Sequence, residues 1–194
     1  MPRPEQPDFL EHLRHEVADG RHWLDRAVVI GFAVLAGLAV VAFTWLADAA
    51  YARFAELQTR HWWAPLLWTP AVTAAVVWLL RRWAPGAGGS GVPQTLVALE
   101  PRLPREQRAR FVSLKLSAAK VLGVSGGLLA GLSIGRQGPS VQVAAGVMLH
   151  ARRWLSPQSG ISTRELLVAG GAAGIAATFN TPLGGIVFAI EELS

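Results

Sequence analysis

Between Ala27 and Ala47 the chain carries no charged residue and no proline, and nearly every position is aliphatic, aromatic or glycine. At about 1.5 Å per residue this run is about 30 Å long as a helix, the thickness of a bilayer's hydrocarbon core. Lipid offers no water to bond backbone amides, so the run predicts a transmembrane helix. Trp63 to Leu80 predicts a second, interrupted by Pro70 and stopped by Arg81 and Arg82. Of the 194 residues 52% are hydrophobic and 16% charged, too little charge to cover a soluble domain of this size. The expected class is an all-α integral membrane protein with the lipid bilayer as its surroundings. Cysteine is absent, which removes disulfides and thiolate metal sites. The eight tryptophans mostly stand near the ends of apolar runs, as an aromatic belt requires, although several fit helix packing equally well.

The net charge is +5, but the arginines border apolar segments instead of forming one stripe. That pattern fits membrane topology and argues against nucleic acid. From Arg81 to Lys115 the chain carries Arg81, Arg82, Arg102, Arg105, Arg108, Arg110 and Lys115 against Glu100 and Glu106. The positive-inside tendency puts this segment in the cytoplasm, and with two spans before it the N-terminus is cytoplasmic too. Residues 1–26 mix charges with Phe9, Leu10, Leu13, Val17, Trp23 and Leu24 at helical spacing, which predicts an amphipathic helix on the membrane surface. They are not a signal peptide, because charged residues continue to Arg26.

Beyond Lys115 the apolar segments are Leu116 to Ile134, Val141 to Leu149, Leu166 to Phe179 and Leu183 to Ile190. Several are too short to cross a bilayer, and transporters and channels use such broken segments to place helix ends at mid-membrane depth. Gly123, Gly127, Gly131 and Gly135 recur every fourth residue. They are expected to line one face of a helix and let another helix approach closely. Next comes Gly135-Arg136-Gln137-Gly138-Pro139, whose polar side chains are costly in lipid unless they have a task. The amide of Gln137 forms hydrogen bonds but takes up neither a proton nor a negative charge.

Gly86 to Gly91 formally satisfies G-x-G-x-x-G, yet it follows an arginine-rich helix end and no strand, so a dinucleotide site is rejected. No Walker spacing follows either. The segment Gly89-Ser90-Gly91-Val92-Pro93 instead reads as a sharp turn with Pro93 near the first position of a helix. The free amides of Ser90 to Val92 and the Ser90 hydroxyl would face an anion, and a helix start favours negative charge by about 0.3–1 kcal/mol. The same grammar opens a helix at Gly138-Pro139-Ser140 and another at Asn180-Thr181-Pro182. Each alone is an ordinary helix start, but their recurrence beside glycine-rich approaches points to an anion path. Other polar residues read plainly. The five histidines have no ligand spacing beyond one i, i+3 pair, so no metal is expected. Ser162 with Glu165 predicts a capping box for a helix starting near Thr163. Glu191 and Glu192 point about 100° apart on a helix and do not form a carboxylate pair. No Ser/His/Asp arrangement suits hydrolysis, so neither an enzyme nor a cofactor is expected.

Gly89 to Pro93, Gly135 to Pro139, and the long segment from Ala172 to Glu192 containing Phe179-Asn180-Thr181-Pro182-Leu183-Gly184-Gly185 together resemble the CLC chloride channel and proton/chloride exchanger family. The resemblance implies a bundle of tilted and broken transmembrane helices. Residues 27–194 would be the N-terminal half of a transmembrane domain, the first of two inverted repeats, with the second half absent. It further implies a homodimer with one pore per subunit, in a bacterial inner membrane. By resemblance, Gly89, Ser90, Gly91, Val92 and Pro93 hold a central chloride through the Ser90 hydroxyl. Gly135, Arg136, Gln137, Gly138 and Pro139 supply amides to an outer anion site. Serine in the first motif, where nitrate-preferring relatives carry proline, favours chloride.

The middle residue of the second motif is usually a glutamate in this family, which blocks the path and moves away on taking a proton. Gln137 stands at this gate position and resembles the protonated, open form. Glu192 matches the family's inner proton-transfer glutamate, and Lys120 matches a buried basic residue, either paired or snorkelling to the interface. The resemblance therefore implies chloride transport that is channel-like or weakly coupled to protons. Two alternatives stay open: an antiporter with a substitute acid, and a non-conducting truncated subunit.

Overall fold

A computed structural model describes residues 20–193. Helix α1 runs from Gly20 to Arg60, 41 residues, or about 60 Å and twice the hydrocarbon thickness. It extends well past Ala47 because Asp48 to Arg60 contains no glycine or proline, and Arg60 reaches back 2.6 Å to Glu56 one turn earlier. Most of the expected surface helix over residues 1–26 lies outside the described residues. Gly20 to Arg26 belong to α1, so residue 26 is no element boundary. At this end Asp25 is buried, and its carboxylate accepts from the Ser156 amide at 2.9 Å and the Ser156 hydroxyl at 2.6 Å.

Helix α2, Ala64–Trp83, passes through Pro70 without the expected interruption. Proline removes one amide from the ladder, which spanning helices tolerate when local adjustments satisfy the freed carbonyl. No residue of α2 is buried, and Leu66 and Trp78 are 79% and 69% exposed. Such a face suits lipid. Trp68 is a packing residue instead, its indole N–H donating to Leu129 O at 2.8 Å. Among the described residues α1 and α2 are the helices long and apolar enough to cross a membrane.

A short 3-10 turn, Pro85–Ala87, leads to α3 (Val92–Ala98) and α4 (Arg105–Arg108). Then follow α5 (Leu114–Leu129), α6 (Gln137–His150), a second 3-10 turn (Ala151–Arg153), α7 (Thr163–Phe179) and α8 (Pro182–Glu192). Among the described residues there is no strand. The helices α5 to α8 contain 16, 14, 17 and 11 residues, roughly 17–26 Å each and short of a full crossing. The expected capping box is present, with Glu165 N–H donating to Ser162 Oγ and Ser162 N–H to Glu165 Oε2.

The expected four-glycine face does not form. Gly131 adopts φ 86°, and Leu132 N–H bonds Gly127 O while Gly131 N–H bonds Leu128 O. These are the two bonds of a Schellman ending, which needs glycine's left-handed freedom and stops α5 before Ile134. Gly123 and Gly126 make the close approach to α2, where added Cβ atoms would strike Leu80 and Val76 at 2.7 Å. Gly127 faces Ile134 of the returning chain, and Gly135 lies beyond the helix.

The packing register fixes relative depth. Val124 and Leu128 of α5 join Phe43 and Ala47 of α1 in one cluster, and Gly131 just past α5 meets the Phe54 ring further along α1, so these helices run in the same direction. Helix α6 descends along α1: Arg136 meets Asp48, Ala144 clusters with Ala36 and Val40, and Met148 and Ala151 pack with Val28 and Phe32. Helix α7 lies tightly on α6, since a Cβ on Gly174 would come within 2.8 Å of Ser140 O and one on Gly170 within 2.9 Å of Ala144 O. At the end of α8, Leu193 is buried with Ala98, Val112 and Leu167.

Candidate anion site

The first turns of α3 and α6 meet backbone to backbone. Gly91, the N-cap of α3, has φ 112°, a conformation that side-chain-bearing residues rarely adopt. A Cβ there would overlap Gly138 O, and a Cβ on Gly138 would overlap Ser90 O. The structure therefore brings two of the expected motifs into direct contact. Helix α6 starts at Gln137, one residue before the expected Gly138. Arg136 O anchors this turn by accepting from Ser140 N–H at 3.0 Å and Ser140 Oγ at 2.9 Å. The opening amides of both helices have no acceptor within their own helix, and Ser90 and Gln137 beside them are exposed.

Two side chains hold the first loop in shape. Gln94 accepts from Gly91 N–H at 2.8 Å through Oε1 and donates Nε2 to Gly88 O at 2.9 Å. Sequence reasoning missed Gln94. Its position three residues after the N-cap glycine was the available signal, since an amide there reaches back to the cap. Lys120 is 3% exposed, and its Nζ donates to Ala87 O at 2.7 Å and Gly89 O at 2.8 Å, with Gly88 O at 3.5 Å. Pairing, not snorkelling, is its role.

The ammonium is 2.8 Å from Gly89 O, and Ser90 is one residue of about 3.8 Å further on. Over roughly 7 Å at an effective dielectric near 20, it attracts an anion at Ser90 by about 2 kcal/mol. Lys120→Met is accordingly expected to weaken binding of a monovalent anion at this position roughly 30-fold, read by titration calorimetry on the purified protein. Unchanged affinity would show that the lysine only ties the loop.

The remaining site residues fall elsewhere. Arg136 turns its guanidinium to Asp48 Oδ1 at 2.6 Å, so the loop junction receives its backbone and not its charge. Gly135 has open space where a Cβ would stand and makes no close approach. The third helix start is formed by Asn180, left-handed at φ 52°, with Thr181 and Pro182 opening α8. Among the described residues its backbone bonds run within α7 and α8, from Thr181 N–H to Ala176 O and from Gly185 N–H to Thr181 O, and not to Ser90 or Gln137. Glu192 is exposed beside Leu193, which packs with Ala98 and Leu99 at the far end of α3. That end is about 10 Å, the length of the seven-residue helix, from the junction. Among the described residues no metal-binding cluster occurs. The Gly91 amide, expected to be free, is buried and taken by Gln94, which leaves the Ser90 hydroxyl, the remaining amides of the two helix starts and the buried Lys120 ammonium as the groups that can replace water around a small anion.

A family described as voltage gated chloride channel matches residues 72–194, which include all three motifs. The H(+)/Cl(-) exchange transporter ClcA of Klebsiella pneumoniae subsp. pneumoniae and that of Klebsiella pneumoniae strain 342 are each 37% identical over 178 residues. The alignment covers 86% of this chain and 35% of each relative, so the chain spans about a third of the length of the curated relatives it matches. Motif order, helix geometry and these matches agree: the chain is a member of the voltage-gated chloride channel (CLC) family of membrane proteins.

Proposed function

We propose that the protein takes part in chloride transport, with the junction of Ser90, Gly91 and Gly138 as its half of the anion path. The observation that carries this reading is the backbone contact of two helix starts with the Lys120 ammonium directly behind one of them. Such a site attracts a monovalent anion without binding it so tightly that it cannot leave. Gln137 supplies no proton acceptor at the gate position, so conduction is channel-like or weakly coupled to protons. The protein works as a homodimer in a bacterial inner membrane with its N-terminus in the cytoplasm, where the basic segment between α2 and α5 also lies.

A second reading, coupled exchange through a substitute acid, draws on two observations. The curated relatives are named as exchangers, and Glu192 is retained. Liposomes containing the protein separate the two. Channel-like transport lets chloride run down its gradient with no accompanying proton movement, and a proton gradient drives no uphill chloride. Uphill chloride movement under a proton gradient would establish coupling instead, and chloride retention under every gradient would remove both readings.

A further inference from the structure

Away from the Ser90 junction, where α6 ends, the bundle holds a cavity of about 420 Å³, within the usual range of about 300–1,000 Å³ for small-molecule sites. Arg105, Arg108, Lys115, His150, Arg152 and Arg153 line it, and no Asp or Glu does. Leu114 and Leu149 give it an apolar floor. The positive-inside tendency accounts for basic residues on this side of the protein, but not for their convergence from three segments onto one concavity. The carbonyl end of α6 favours Arg152 and Arg153 nearby, yet Arg105 and Lys115 come from the chain before it.

Two of the arginines are already positioned. Arg108 donates to Ala98 O at 2.8 Å and Glu100 O at 3.1 Å, and Arg152 donates to Ile161 O at 2.6 Å. Arg105, Lys115 and Arg153 stand exposed at the rim. The nearby carboxylate of Glu165 accepts from Ser162 N–H at 2.6 Å. Guanidinium forks match phosphate oxygens in pairs, and the apolar floor suits a ligand with a non-polar body behind its charge.

We propose that this cavity binds a phosphate ester, either the headgroup of an anionic phospholipid or a free phosphate compound. Basic pockets on the cytoplasmic side of membrane proteins are suited to such headgroups. Two arms distinguish the sources. Inorganic pyrophosphate is titrated calorimetrically into the protein in detergent, and unfolding temperatures are compared in nanodiscs of phosphatidylcholine with and without phosphatidylglycerol. The expected result is salt-sensitive pyrophosphate binding or a clear stabilisation by phosphatidylglycerol. The triple variant Arg105→Gln, Lys115→Gln, Arg153→Gln should lose the response by about tenfold or more. Lys115→Arg with Arg153→Lys keeps the charges and should retain it, which guards against a folding defect. Response in the first arm alone assigns a free phosphate compound, and response in the second alone assigns a lipid. No response in either arm, an undiminished response in the triple variant, or chloride binding as tight as pyrophosphate would overturn the proposal.

Discussion

Gly91→Ala is expected to lower the unfolding temperature sharply and to reduce chloride flux by more than about tenfold. Two costs combine. Holding alanine at φ 112° costs about 1–3 kcal/mol of backbone strain, and its methyl would overlap Gly138 O. The neighbour is backbone, not a flexible side chain, so relief requires the two helix starts to separate, with an overpacking cost of about 1–3 kcal/mol. Together these are a large fraction of a typical stability of about 5–15 kcal/mol. Even where the fold survives, separation pulls apart the amides that would hold the anion. Gly138→Ala should have a comparable effect, because its methyl would overlap Ser90 O. The double variant should cost less than the sum, since both substitutions break one contact. Gly88→Ala is the internal control: Gly88 has φ −64° and no atom within 4 Å of an added Cβ. Thermal unfolding in detergent and efflux from liposomes give the comparison. A Gly91→Ala protein as stable and as fast as Gly88→Ala would remove the junction from the anion path.

Local features of this fold were legible because they depend on nearby residues. The Ser162 and Glu165 cap and the prolines at the starts of α3 and α8 follow from short-range backbone chemistry, whereas α2 runs through Arg81 and Arg82 to Trp83 and ends ahead of Pro85. Elements that depend on partners distant in sequence were not. Asp48 is 88 residues from Arg136, and nothing in the sequence pairs them. The glycine ladder misled because one residue type serves two purposes. Gly123 and Gly126 admit α2, whereas Gly131 ends α5 through a left-handed turn. The period alone does not distinguish these uses. The apparent end of α1 at Ala47 marks a change in polarity, not in helix propensity, so the helix continued. At the candidate site the motifs single out Ser90, Gly91 and Gly138, but their backbone contact joins residues 47 positions apart and the Lys120 bonds span about 30, so neither follows from local pattern.

Gln137→Glu is expected to slow chloride flux at neutral pH and to make it depend on pH. Gln137 is the first residue of α6, where the unpaired amides of the helix start favour a carboxylate by about 0.3–1 kcal/mol and would bind chloride through the same donors. A tethered carboxylate competes at an effective concentration in the millimolar range or above, so its ionised form should occupy the site ahead of the ion. Protonation removes that charge. Flux should therefore be low above the titration of the new acid and rise as pH falls through it. The unmodified protein should show no such titration, because an amide neither gains nor loses a proton over this range. Gln137→Ala tests whether the amide itself matters: it should keep flux independent of pH while removing any hydrogen bond the glutamine gives the ion. Efflux from liposomes between pH 4 and pH 8 reads all three proteins. A Gln137→Glu protein with unchanged, pH-independent flux would mean that position 137 does not face the ion, and the channel-like reading would lose its basis.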